Sequence, residues 1–175
     1  QQATLLSKVG FGPVANAVQA LDGVLGAFQL RVQETSKVTA ILATSAERAG
    51  VPIDQFATAL QAAGPLARQF GLGLQDVAAL IVSIKNQGVG LNDATRAIGG
   101  LLQIFSEEGN STRKALEGIG VNFKTATKDG AGFADILRQI AERTKDQPEL
   151  LAQLFPGGAR TLQGVFAAVQ GSAAE

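Results

Sequence analysis

The sequence holds no Cys, His, Met, Trp or Tyr. Without Cys and His the common zinc, haem and iron–sulfur ligand sets cannot be assembled, and neither can a Ser-His or Cys-His nucleophile pair. Proton transfer is left to Asp, Glu and Lys, so carboxylate-pair hydrolysis and hard-cation binding by oxygen are the chemistries still to be sought. The missing cysteines also leave no disulfide framework and no sign of redox compartment. Neither charge sign is in excess: 15 Lys and Arg stand against 15 Asp and Glu, interspersed. That balance argues against a dedicated phosphate-binding face, and so against sequence-specific nucleic-acid binding. The longest purely apolar run, residues 77–82, falls far short of the roughly 20 residues of a membrane span. Aromatic residues make up only 5%, all of them Phe.

What is present is small and apolar. The 175 residues are 46% hydrophobic and include 21 Gly. A globule of this length can bury about two-thirds of its extended surface, enough for one real core. That core is expected to consist of Ala, Leu, Val and Ile, with helices approaching closely and few bulky anchors. The chain begins at Gln1 and has no internal Met, which reads as a piece of a longer polypeptide. Residues 1–11, with one Lys and a broken apolar stretch, do not fit a secretory signal.

Apolar residues recur at helical spacing almost throughout. Val14, Val18, Leu21, Leu25 and Phe28 form one stripe behind Pro13, with Gly23 and Gly26 each weakening the helix by about 1 kcal/mol. Val38, Ile41, Leu42, Ser45 and Ala49 form the next, stopped by Gly50. Phe56, Leu60 and Ala63 carry a third helix up to Gly64-Pro65, where the missing amide donor predicts that it breaks or restarts before Leu66 to Phe70. Val77, Leu80, Ile81 and Ile84 mark a fourth helix, closed by Gly88; Ala94, Ala97, Ile98, Leu101, Leu102 and Phe105 mark a fifth. Residues 106–113 are polar, and residues 118–132 are rich in Gly, Thr and Lys, with 120–123 as a candidate extended segment. Helical spacing resumes at Phe133, Ile136, Leu137 and Ile140, then at Leu150, Leu151, Leu154 and Phe155, and finally at Leu162, Val165, Phe166 and Val169.

The expected fold is therefore all-α, an irregular multi-helix bundle of short helices joined by Gly/Pro turns. Four spans follow: a leading helical segment (1–27), a helix-turn repeat half (28–106), a polar Gly-rich connector (107–132) and C-terminal helices (133–175). The repeat is carried by Gly50-Val51-Pro52-Ile53-Asp54, Gly71-Leu72-Gly73-Leu74-Gln75-Asp76 and Gly88-Val89-Gly90-Leu91-Asn92-Asp93. In each, Gly supplies a left-handed cap, an apolar pair pins the turn, and an acid meets the positive start of the next helix.

The polar residues yield no catalytic or metal site on this reading. Asp54, Asp76 and Asp93 are better explained as helix-start acids than as a convergent metal site. Glu107 and Glu108 are adjacent, so on a helix they would point about 100° apart and could not face one another as an acid/base pair. Lys124, Lys128 and Asp129 sit in a Gly-rich stretch that lacks the residue order of a phosphate loop. Arg138, Glu142, Arg143, Lys145 and Asp146 form a mixed-charge surface, with Arg138 and Glu142 spaced to pair. Gly157-Gly158 after Pro156 reads as a helix break. No catalytic, cofactor-binding or metal-binding residue is assigned, no cofactor is expected, and the chain is not expected to be an enzyme.

From about Phe28 to Phe166 the chain resembles the conserved core region of phage tail tape-measure proteins. The resemblance rests on Phe56-Ala57-Thr58-Ala59-Leu60 followed by Gly64-Pro65-Leu66-Ala67 and Phe70-Gly71-Leu72, similar to that family's helix, Gly-Pro break and "ALGVS" turn. Leu74-Gln75-Asp76-Val77-Ala78-Ala79-Leu80 is similar to its "LEETAAAL" helix, and Asn86-Gln87-Gly88-Val89 to its "NAGI" turn. Ala115-Leu116-Glu117-Gly118-Ile119-Gly120-Val121, Phe133-Ala134-Asp135-Ile136-Leu137 and Leu154-Phe155-Pro156-Gly157-Gly158-Ala159-Arg160 resemble "ALKELGV", "LVDILEDL" and "IFGKRA" in the same order. Pro52 and Gly73 stand where the family often has a Ser cap.

The resemblance implies a structural component of a phage tail, a segment of the tape-measure protein that scaffolds tail tube assembly, sets tail length and leaves at genome ejection. It implies as partners the tail tube protein, tail-tip proteins, tail assembly chaperones and other copies of itself. It places the chain in the virion tail, in the tube lumen or at the tip, and in the host cytoplasm during assembly. A second reading is a membrane-active segment that contacts the host membrane after ejection and aids DNA passage. The mixed-sign polar faces, which are not Lys-rich, favour the first.

Overall fold

A computed structural model describes residues 13–123, 130–155, 161, 162 and 164–166. Among these residues there are eight α-helices with described bounds, further helical residues at 161–162 and 164–166, and no strand. They are α1 (Val14–Phe28), α2 (Thr35–Ala49), α3 (Ile53–Gln69), α4 (Leu74–Asn86), α5 (Leu91–Ser106), α6 (Ser111–Gly118), α7 (Gly130–Thr144) and α8 (Pro148–Leu154), with one 3-10 turn at Val32–Glu34. The fold is all-α, a bundle of short helices joined largely by glycine turns.

The turns decide how the helices stack. Gly50, Gly71, Gly88 and Gly120 all have positive φ, as does Gln29 at +51°. Four of these five turns close with the same pair of bonds. The Leu30, Val51, Leu72 and Val121 amides each reach back to the carbonyl five residues earlier, at 2.8–3.1 Å. This is the left-handed cap with an apolar residue behind it, and it occurs at Gln29-Leu30 and Gly120-Val121 as well as at copies legible in the repeat. The turns at Gln29, Gly50, Gly71 and Gly88 follow helices of similar length, 13–17 residues. As a result α1 packs on α3 and α3 on α5, α2 packs on α4, and neighbours in sequence bridge the two rows.

Close approach within the rows depends on small residues. A Cβ on Gly64 would lie 3.0 Å from both Ala27 Cβ and Phe28 Cε2, and one on Gly23 would lie 2.5 Å from the Gln61 side chain. Glycine on each helix thus admits the other helix's side chains, and α1 and α3 cross through two reciprocal notches. The core runs continuously from Leu21 through Leu60, Ile81 and Leu102 to Ile136 and Val165.

Four sequence expectations need correction. α3 does not break at Gly64-Pro65; it runs through Pro65 to Gln69. An internal proline costs about 3 kcal/mol, but Pro65 lies on the exposed side while Leu60, Ala63, Gly64 and Ala67 are buried on the other. Burial along that face outweighs the lost bond. Val14 and Val18, at the head of the first stripe, are 44% and 43% exposed, because the buried face of α1 runs through Ala17, Leu21, Val24, Leu25 and Phe28 and leaves both valines off it. The polar stretch after Phe105 contains a helix, α6, started by Asn110, whose Oδ1 accepts from the Thr112 and Arg113 amides. Finally, Arg138 pairs with Asp135 at 3.3 Å rather than with Glu142.

Candidate functional site

The acids at the helix starts act locally. Asp54, Asp76 and Asp93 each occupy the first turn of a helix, in α3, α4 and α5. Asp76 Oδ2 accepts from the Gly73 amide at 2.8 Å, which caps α4 where Gly73 offers no side chain. Asp93 pairs with Arg96 on the same helix face, and both are exposed. Glu107 ends α5, its Oε1 accepting from Gln103, and Glu108 is exposed beside it. Among the described residues no three Asp or Glu side chains gather in a way that could hold a metal ion. Lys124, Lys128, Asp129 and Gly157-Gly158 lie outside the described residues.

The polar and aromatic side chains that do converge were not singled out in the sequence. Phe105, at the end of α5, touches Phe70, Phe123 and Phe133, with centroids 6.3, 5.2 and 5.5 Å away. Phe70 also meets Phe133 at 6.3 Å. Edge-on and tilted geometries of this kind contribute about 0.5–1.5 kcal/mol per pair beyond area burial. Over this cluster lies Arg113 of α6, its side chain only 12% exposed. Its Nη1 donates to the Phe105 carbonyl at 2.6 Å, its Nε to Glu117 Oε1 at 3.1 Å, and its Cζ lies 4.9 Å from the Phe123 ring centre. The guanidinium thus satisfies a carbonyl left open at the end of α5, and it is neutralised by one carboxylate and one aromatic face.

The exit from α6 is held from α7. Arg143 Nε donates to the Ile119 carbonyl at 3.0 Å, and Gln139 Oε1 accepts from the Asn122 amide at 2.9 Å. Arg143 therefore anchors a turn and is not plain surface. Val121 and Phe123 are buried with Asn122 exposed between them, an alternation like a strand's, but residues 121–123 belong to no sheet. Two signals for this region were present in the sequence: Asn110 ahead of a helix, and Arg113 and Glu117 four apart.

Two open grooves lie on the surface of the described residues. One, of about 410 Å³, is lined by Gln29, Arg68, Gln69, Gly71, Leu72 and Gly73. The other, of about 460 Å³, is lined by Asp146, Gln147, Pro148, Glu149, Leu150 and Gln153. Neither pairs a nucleophile with a base. What Arg113, Gln139 and Arg143 do is fasten neighbouring elements to one another.

Residues 1–155 match the family described as phage-related minor tail protein. The chain belongs to this family. Consistent with this, the chain is 24% identical over 167 residues to a tape measure protein of Pneumococcus phage Dp-1. That alignment covers 93% of this chain and 14% of the relative, so the chain spans a small part of the length of the protein it matches. No solved structure matches the chain. For this phage tail protein, then, the Arg113 and phenylalanine joint is part of a virion tail component. No helix among its described residues is long and apolar enough to cross a membrane.

Proposed function

We propose that the chain is a structural segment of a tail tape measure, which scaffolds tube assembly, contributes to tail length and leaves with the genome. The observation that carries this reading is the match to a tape measure protein along 93% of the chain, with the chain covering only 14% of that relative. A short helical piece matching part of a much longer polypeptide is what a segment of a ruler would look like. In this reading its partners are the tail tube protein, tail-tip proteins, assembly chaperones and further copies of the same chain. The role is mechanical rather than catalytic.

The physics of length supports two states. A continuous helix advances about 1.5 Å per residue, so 175 residues would span about 260 Å if opened into one rod. Folded as described, the chain doubles back at each glycine turn and spans far less. A length-setting segment therefore acts opened out, and the folded stack belongs to the chain before or after that state.

The test is an in-frame deletion of this segment in a phage that encodes it, with tail length measured by electron microscopy. Tails shortened by up to about 260 Å are expected. Normal-length tails assembled from the deleted protein would overturn the length-setting role.

A further inference from the structure

Two kinds of packing meet in this chain. Within α1–α5 the helices approach through small residues, as at Gly23 and Gly64 on the α1–α3 crossing. The C-terminal elements are bonded to one another instead. Thr112 Oγ1 of α6 donates to the Leu154 carbonyl of α8 at 3.5 Å, and the α6 exit is bonded to α7 through Arg143 and Gln139. The joint between the two parts centres on rings, Phe70 and Phe105 from the stack and Phe123 and Phe133 from the other side, with the Arg113 bond to the Phe105 carbonyl across it; beyond α8 the chain returns to the stack, where the Gly164 carbonyl accepts from Ser83 Oγ of α4 at 2.6 Å.

We propose that α6, α7 and α8 separate from the α1–α5 stack as one unit, parting at the Phe105-centred ring cluster beneath Arg113. Proteins open in contiguous cooperative units, and the boundary between units falls where the contacts joining them are fewest or least costly to break. Arg113 makes this boundary less costly to open. Its guanidinium is nearly covered when the joint is closed, and opening returns a charge to water, which recovers hydration that an all-apolar joint would not. The contacts inside α6–α8 survive that opening, because Thr112–Leu154, Asn122–Gln139 and Ile119–Arg143 all lie on one side of it. The stack likewise keeps its notched crossings. The proposal rests on the packing alone and does not depend on the tape-measure reading.

Native-state hydrogen exchange on the full chain tests it, read by region. In the parent chain, residues 111–155 are expected to exchange faster than 53–69 and 91–106, through an opening they share. Phe133→Ala should raise exchange in 111–155 by at least about a hundredfold, the scale of a core Phe truncation, and leave α3 and α5 unchanged. Phe123→Leu, a milder change on the same side of the joint, should give a smaller rise with the same boundary. Equal protection of both parts in the parent, acceleration of both parts together in either variant, or loss of all folded structure in Phe133→Ala would each overturn the proposal.

Discussion

Lengthening the side chain at Gly64 tests whether α1 and α3 cross through glycine notches. A Cβ there would sit 3.0 Å from Ala27 Cβ and Phe28 Cε2 and 3.2 Å from the Ala27 carbonyl oxygen. Carbon atoms prefer about 3.5–4.0 Å, so even alanine must push α1 outward by about 0.5 Å. Alanine also gains about 1 kcal/mol in helix propensity, which offsets that strain, and Gly64→Ala is expected to be nearly neutral. Leucine has nowhere to place its remaining carbons without separating the helices. Overpacking of this kind costs about 3 kcal/mol or more, and after the propensity gain Gly64→Leu should be about 2–3 kcal/mol less stable. For a chain of this size that lowers the melting temperature by roughly 4–12 °C. Gly100→Ala is the matched control: its Cβ meets nothing within 4 Å, so it should gain about 0.5–1 kcal/mol from propensity alone. With no Trp or Tyr in the chain, far-ultraviolet circular dichroism in a urea titration is the suitable readout. If Gly64→Leu is as stable as Gly100→Ala, the close crossing does not exist and the row of α1, α3 and α5 is wrong.

Two other substitutions probe local cost against tertiary gain. Pro65→Ala restores an amide donor on the exposed side of α3 and should raise stability by about 1–3 kcal/mol, seen as a higher urea midpoint; a lower midpoint would show that α3 needs the proline. Gln29→Gly relieves a left-handed backbone at φ +51° and should stabilise by about 0.5–1 kcal/mol, with the opposite sign in a thermal melt counting against the assigned turn.

How much was legible in the sequence follows from the range of each interaction. The glycine turns were legible because positive φ at Gly50, Gly71 and Gly88 is a local demand that glycine meets with least strain. The same turn at Gln29 was not, because there the tertiary fold imposes a left-handed backbone on a residue that does not advertise it. Asp54, Asp76 and Asp93 were legible as helix-start acids, since a carboxylate and a helix dipole interact within one turn. Arg113 was not legible as the centre of a joint. Its significance comes from Phe105 and Phe123, eight and ten residues away on other elements. The family was legible because many weak local patterns occur in the right order, and the match over residues 1–155 agrees.

The sequence by itself determined an all-helical chain, its glycine-closed turns, its neutral surface and its family, because periodicity, backbone conformation and composition are properties of neighbouring residues. Only the tertiary structure decided that α3 continues through Pro65, that Val14 and Val18 lie outside the core, and that four of the nine Phe residues meet under one arginine. Each of those outcomes depends on what another helix brings to the site. Burial gained from a distant partner can outweigh a local preference of a few kcal/mol.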